Sequence, residues 1–422
     1  MSRLTRANTT TARPRRFAPL LPLALLPACG DAGDGSAAGT DGTLDGPDVI
    51  VNAATEELFT VGSVTGDSWD IFGNVGSVHF DAESNLHILD NQSDRIFVVG
   101  PDGSLLRTVG GSGEGPGEFS GVTRIFVARD GSYTVFGNGD RRIDLLGPGG
   151  SFVRRINLDP ATTGMILTEA VFPDGSLLIS QIVRFDWNNM AAGFVLPEVE
   201  SRPLWILPFP LDGELDTLYH AWELPETEVV SGESSPGEIV LYAGRAFEPP
   251  LGLGVLTDGR VALIDSTGYR VKLLGRGGEV TGTIERPITP LAVDEAIREA
   301  ERERYRERYP QASSDRPVAQ RGVRREGAES LTFADEVPVL TGIRVDWEDR
   351  IWVERTGPTG DGDDGPIDIV TPAGDYIGTL PPDALRTPDA FGPGGLMAYI
   401  ERDDLGVATV RVVRLIALEP RG

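Results

Sequence analysis

Apolar residues recur along this chain in short runs separated by polar turns. Six segments have an apolar run, an Asp-Gly-type turn and a second apolar run, which is the pattern of a β-hairpin. The turns begin at Glu83, Asp130, Asp174, Asp258, Glu348 and Asp403. The runs before them are Val78–Phe80, Ile125–Val127, Ala170–Phe172, Leu253–Leu256, Ile343–Val345 and Leu396–Ile400. The pattern therefore predicts six copies of a strand–turn–strand unit.

A second hairpin follows five of these six units. Its turn ends in a glycine, and an apolar residue lies seven positions before that glycine. The glycines are Gly103, Gly150, Gly213, Gly278 and Gly374, and the apolar residues are Ile96, Ile143, Ile206, Val271 and Ile367. Each repeat is therefore predicted to be a four-stranded antiparallel meander, and the sixth repeat lacks its last strand.

The beginning of the repeat region supplies a match for the missing strand. Glu57–Gly62 ends in Thr-Val-Gly, as does Leu106–Gly110 at the end of the first meander. We expect this segment to complete the last blade, whose other strands come from residues 396–418, because closing the ring removes the exposed sheet edges. The predicted fold is thus all-β, a six-bladed β-propeller over residues 56–418 that is closed by the N-terminal strand.

Two parts of the first repeats resemble a known repeat family. Gly110–Phe119, with the sequence GGSGEGPGEF, and Leu89–Gly103 are similar to the NHL repeat. The whole region resembles the NHL-like six-bladed propellers of bacterial lipoproteins. The resemblance implies the fold and leaves the function open, because many unrelated functions share the propeller scaffold.

Two insertions interrupt the period, at residues 220–250 and 286–336. The second insertion contains residues 293–309, which are rich in helix-forming residues and end at Pro310. Glutamates three positions before arginines support one helix there. The helix is either a solvated element laid over one propeller face or a lid or docking element.

The N-terminal sequence is typical of an export signal. Basic residues precede a short apolar run, Phe17–Leu26, and the segment Leu26-Pro-Ala-Cys29 resembles a bacterial lipobox. The resemblance implies a signal peptide over residues 1–28 and a lipid on Cys29, the single cysteine. The alternative is a secreted protein that is cleaved near Ala28 and keeps a free thiol. Residues 29–55 then form a flexible acidic tether, and the domain lies in the cell envelope, facing the periplasm or the surface.

The charge of the chain limits its partners. The formal net charge is −26, and an acidic surface repels phosphate backbones, so we expect no nucleic-acid binding. Membrane contact is expected through the lipid anchor only, and the domain is expected to be a monomer.

The loops that join one blade to the next are the predicted ligand face, because propellers bind ligands at the axis between such loops. Trp69, Asp70, Glu114 and Glu118 lie in the two best-defined loops, at residues 62–75 and 110–122. Phe72 and Phe119 in the same loops are predicted to be apolar wedges between blades.

Catalytic motifs are not apparent in the sequence. The three histidines, His79, His87 and His220, show no metal-ligand spacing, and no Gly-x-Ser-x-Gly motif occurs. Propellers of similar fold include metal-dependent lactonases and lyases, and a Ca²⁺ site of carboxylate and amide oxygens would leave little linear trace. The favoured function is a binding module for a protein, peptide or glycan; the alternative is a calcium-dependent hydrolase or lyase with its site at the propeller axis.

Overall fold

The structure is a computed structural model of the 422-residue chain. It describes residues 40–63, 65, 69–137, 141–159, 165–183, 201–223, 239–241, 244–310, 323–325, 327–357, 365–382 and 384–421. Cys29 and the signal segment lie outside the described residues. In this part of the chain, no helix is long and apolar enough to cross a membrane.

Six four-stranded antiparallel meanders confirm the predicted propeller. Within each blade the strands are numbered from the inner strand, next to the axis, to the outer strand. Blade 1 comprises Val75–Phe80, Leu86–Asp90, Arg95–Val99 and Leu105–Gly110. Blade 2 comprises Val122–Val127, Tyr133–Gly137, Arg142–Leu146 and Phe152–Asn157. Blade 3 comprises Met165–Val171, Leu177–Val183, Ser201–Leu207 and Asp216–Glu223.

The second half of the ring has the same order. Blade 4 comprises Gly252–Val255, Val261–Ile264, Arg270–Leu274 and Val280–Glu285. Blade 5 comprises Leu340–Val345, Ile351–Arg355, Ile367–Val370 and Tyr376–Leu380. Blade 6 comprises Ala390–Phe391, Leu396–Arg402, Ala408–Pro420 and, as its outer strand, Val51–Val61.

The ring closes as predicted, because Val51–Val61 pairs antiparallel with Ala408–Pro420. One detail of the sixth repeat was wrong. Leu396–Arg402 is the second strand of its blade and not the inner strand, which is the two-residue segment Ala390–Phe391. The sequence concealed this strand because it is so short and because Gly392–Gly395 replaces the usual Asp-Gly turn.

Apolar clusters between neighbouring blades form the core. Each of the six blade interfaces has one cluster of buried side chains, and together these clusters form a closed ring around the axis. Phe72 lies between blades 6 and 1, and Phe119 lies between blades 1 and 2, as predicted for apolar wedges. Gly110 accommodates Phe119: its φ is +83°, and a Cβ atom there would lie 2.0 Å from the phenylalanine ring.

The predicted tether boundary at residue 55 was also wrong. The outer strand of blade 6 already begins at Val51, and Thr40–Thr43 adds a fifth, parallel strand to the outer edge of blade 4. Residues 40–50 thus run along the propeller, held by backbone pairing that composition alone does not reveal. We call this segment the N-terminal strap.

The two insertions pair with each other. Ile239–Leu241 pairs with Val323–Arg325, and Arg245–Ala246 pairs with Thr332–Phe333, both in parallel. Leu291–Ala292 pairs antiparallel with Glu336–Val337 within the second insertion. We call these segments, together with the helix Glu295–Arg308 and the 3-10 turns of Ala328–Ser330, the insertion layer. The first insertion is also shorter than predicted, because the outer strand of blade 3 continues to Glu223.

The predicted helix forms within residues 293–309. Asp294 caps its N-terminus by accepting a hydrogen bond from the Ile297 amide. Its buried Tyr305 packs with Ala328 and Leu331 of the insertion layer. The helix is therefore held by the insertion layer, and neither function predicted for it is tested by these contacts.

Candidate functional site

The two ends of the propeller differ in what they carry. One end, the inter-blade face, holds the connections from each outer strand to the next inner strand, so both insertions and the loops 62–75 and 110–122 emerge there. The other end, the turn face, holds the hairpin turns between the first and second strands and between the third and fourth strands. The axis between these faces is where side chains from different blades can meet.

A contact between opposite blades closes the axis at the turn face. The Arg129 guanidinium of blade 2 donates a hydrogen bond of 3.0 Å to the Trp347 carbonyl of blade 5, and it lies 4.3 Å from the centre of the indole ring. The Trp347 indole in turn donates to the Phe391 carbonyl of blade 6 at 2.7 Å. Because blades 2 and 5 face each other across the ring, this cation–π pair covers the axis. A ligand would therefore approach the axis from the inter-blade face.

Bulges recur on the inner strands and orient polar side chains. The register with the second strand shifts between Val75 and Ser77 in blade 1, between Val122 and Arg124 in blade 2 and between Leu340 and Gly342 in blade 5. Blade 3 has its shifts further along the inner strand, on both sides of Thr168. A β-bulge redirects side chains out of the regular alternation and is common beside functional sites. The polar inner-strand side chains are Ser77, His79, Thr123, Arg124, Thr168, Glu169, Thr341 and Arg344.

Three of these hydroxyl groups have unused hydrogen-bonding capacity. Ser77 Oγ, Thr168 Oγ1 and Thr341 Oγ1 are buried and have no hydrogen-bond partner among the described residues. They come from blades 1, 3 and 5, which alternate around the ring. A buried hydroxyl without a partner costs about 1–3 kcal/mol. Each of these hydroxyls therefore has hydrogen-bonding capacity that the described residues do not use.

His79 and Arg344 occupy corresponding positions on the inner strands of blades 1 and 5. His79 is partly buried, and its ring lies 5.9 Å from that of Phe126 on the next inner strand. Burial, the nearby His87 and the charge of Arg344 lower the pKa of His79 to about 4, against a hydrogen bond to the Ile125 carbonyl that raises it. His79 is therefore neutral at physiological pH, and Arg344, which is exposed, provides positive charge near it.

A buried Asp–His–Tyr series between blades 1 and 2 looks like a catalytic relay. His87 lies 3.1 Å from Asp81 Oδ2 through Nε2 and 2.9 Å from the Tyr133 hydroxyl through Nδ1. The imidazole is fully buried, so a substrate cannot reach it. Blade 5 has the same arrangement with a tryptophan: Asp346 accepts from two backbone amides of its own turn and from the Trp352 indole at 2.9 Å. The repetition indicates that the Asp81 cluster stabilises a hairpin turn.

Two of the four predicted ligand-face residues hold their loop in place. Glu114 is exposed but accepts a hydrogen bond of 2.9 Å from buried Arg142 of blade 2. Glu118 accepts one of 2.8 Å from the Gly115 amide through its side chain. Arg142 also donates to the Glu118 carbonyl at 2.6 Å. The loop 110–122 is thus fixed to blade 2.

The other two predicted residues lie in loop 62–75. Trp69 packs against the apolar cluster between blades 6 and 1, with its ring 6.4 Å from that of Phe97. The Asp70 carbonyl accepts from the Ser63 amide at 2.9 Å, and its buried Oδ1 has no partner among the described residues. Asp70 therefore remains the better ligand-contact candidate of the two.

Sequence reasoning missed the inner-strand residues as candidates. Ser77, Thr168, Thr341 and Arg344 belong to no motif, and only their shared place in the repeat could have indicated them. His79 and His87 are direct partners across the first two strands of blade 1. The described residues contain no group of three or more His, Cys, Asp or Glu side chains arranged to hold a metal ion.

Comparison with known proteins adds several distant likenesses. No protein-family model matches the chain, and no curated protein sequence matches it significantly. Among solved structures, a streptogramin B lyase is 14% identical over 86% of this chain and 98% of its own, with a TM-score of 0.40. A protein of Bacteroides fragilis proposed to be exported is 13% identical over 90% of this chain and 99% of its own, with a TM-score of 0.45. A DUF4221 family member from Bacteroides vulgatus is 10% identical over 87% of this chain and 99% of its own, with a TM-score of 0.49. At such identities and scores these likenesses do not assign a function.

Proposed function

We propose that this protein is a lipid-anchored cell-envelope propeller that binds a protein, peptide or glycan at its inter-blade face and catalyses no reaction. The lipobox-like segment ending at Cys29 supports the anchor. The ligand would contact the inter-blade face and reach the axis from there.

The main support for this proposal is the set of polar side chains on the inner strands. Unpartnered hydroxyls lie on the inner strands of three alternate blades, and Arg129 and Trp347 meet across the ring at the turn face. Such groups are hydrogen-bond donors and acceptors for a sugar hydroxyl or a peptide group. The insertion layer, which emerges on the same face, enlarges the surface available to a macromolecular ligand.

The alternative, a calcium-dependent hydrolase or lyase, requires several oxygen ligands at the axis. Glu169 is the only carboxylate on the six described inner strands, and it accepts a hydrogen bond from Ser180. Arg344 adds positive charge, which opposes cation binding. The inner strands therefore favour a binding module over this enzyme.

The test uses the mature chain with Cys29→Ser, which cannot be lipidated, and screens it against a glycan array and a displayed peptide library. Binding of one ligand class is expected, and Arg344→Gln combined with Thr341→Val should weaken it at least tenfold. Arg154→Gln, on an outer strand where the arginine pairs with Asp212, is the matched control and should leave binding unchanged. Turnover of lactones that a chelator abolishes would instead establish the enzyme.

A further inference from the structure

The N-terminal strap determines where the anchor meets the propeller. Thr40–Thr43 pairs in parallel with Val280–Glu285, from Thr40 opposite Gly282 to Thr43 opposite Glu285. The Leu44 amide then donates to the Glu285 carbonyl at 2.8 Å. The first described residues are thus attached to the propeller at the outer edge of blade 4, two blades before the one that the chain closes.

Charged groups fix the middle of the strap. Asp48 accepts hydrogen bonds of 2.8 Å from Arg286 and 2.9 Å from Arg355. Arg286 is itself buried and donates to the fully buried Asp368 at 2.7 Å. Burial opposes ionisation of Asp48, but the hydrogen bonds and charges of the two arginines outweigh it and hold its pKa below the usual range. Asp48 is therefore ionised at neutral pH, and it binds the strap to blades 4 and 5.

Backbone pairing holds the end of the strap. The Thr379 amide on the outer strand of blade 5 donates to the Val49 carbonyl at 2.8 Å, and Ile50 forms a parallel bridge with Thr379. Val51 then begins the outer strand of blade 6. The strap is thus held at both ends and in the middle.

This attachment shortens the path from the anchor. Ten residues lie between Cys29 and Thr40, and the eleven Cα-to-Cα steps of a fully extended chain span at most about 40 Å. A tether running to Glu56 would contain 27 residues and span at most about 95 Å. The strap therefore removes more than half of the reach that the sequence alone suggested.

We propose that the outer edge of blade 4 is the part of the propeller nearest the membrane, and that the rim of blade 1, opposite it in the ring, is the farthest. This inference rests on the lipid anchor of the proposed function. The partner of the blade 4 edge is the lipid surface. The propeller would then be held by one rim, which leaves the inter-blade face open to a ligand from the side.

Equivalent positions on the two blades provide the test. Asp102 of blade 1 and Gly277 of blade 4 are exposed and occupy the same place in the turn between the third and fourth strands. Because Cys29 is the only cysteine and would carry the lipid, Asp102→Cys and Gly277→Cys each create a single labelling site. The lipidated variants, labelled with a fluorescent donor, are reconstituted into phosphatidylcholine vesicles that contain an acceptor lipid.

We expect clearly higher energy transfer from the label at position 277 than from that at position 102. Asp48→Ala, which removes both arginine contacts of the strap, should reduce the difference. Equal transfer, or higher transfer from position 102, would overturn the inference while leaving the anchor intact. Incorporation of radiolabelled palmitate, lost in Cys29→Ser, is measured first; if there is none, the anchor in the proposed function is itself refuted and the inference falls with it.

Discussion

The pKa of His79 leads to a quantitative prediction about acid stability. The folded protein holds this imidazole neutral down to about pH 4, whereas in the unfolded chain it titrates near 6.5. Between these values the unfolded chain binds more protons, so the free energy of unfolding falls as the pH decreases. The shift of about 2.5 pKa units corresponds to at most about 3.4 kcal/mol at 1.36 kcal/mol per unit.

The perturbation is His79→Gln, which keeps a donor for the Ile125 carbonyl and does not titrate. The free energy of unfolding is measured by urea denaturation at intervals from pH 7.5 to 4 for both proteins. The stability of the wild type relative to the variant should decrease by up to about 3 kcal/mol over this range. Taking the difference cancels the contributions of the carboxylates.

The pKa of His87 is also lowered, because the effect of burial outweighs the opposing effect of Asp81. Its charge also acts on His79, so the measured difference includes their coupling. His220→Gln is the control, since His220 is exposed on an outer strand beside Ser201, and it should give a much smaller pH-dependent difference. Parallel stability curves for the wild type and His79→Gln would refute the lowered pKa of His79.

Three further changes test the packing, the turns and the axis. Phe119→Ala should lower the free energy of unfolding, measured by urea denaturation, by about 3–5 kcal/mol, because it leaves a cavity where a fully buried side chain was. The control Leu405→Ala, at an exposed turn, should change it by less than about 0.5 kcal/mol. Ser84→Gly should raise the melting temperature, because Ser84 has a φ of +66° at a turn position where the related turns have glycine. A lower melting temperature would contradict the backbone strain assigned to Ser84. Arg344→Gln should raise the pKa of His79 in an NMR titration; an unchanged pKa would place the two residues out of electrostatic range.

The repeat architecture could be predicted from sequence because each hairpin is encoded locally. Alternating apolar runs, Asp-Gly turns and the glycine of the second hairpin act over fewer than ten residues, and six copies reinforce one interpretation. The same copies identified Phe72 and Phe119 as wedges and Glu57–Gly62 as the closing strand. The inner strand Ala390–Phe391 was not predicted, because two residues are too few to show the alternation of apolar and polar positions that marks a strand.

The tertiary structure alone decided which distant groups meet. Arg129 and Trp347 are 218 residues apart, and they touch only because six blades bring opposite turns together over the axis. The strap and the paired insertions likewise depend on edges that exist only once the ring has formed. Local patterns specify strands through short-range hydrogen bonding and burial, whereas the contacts that define the axis and the anchor point arise from closure of the whole sheet stack.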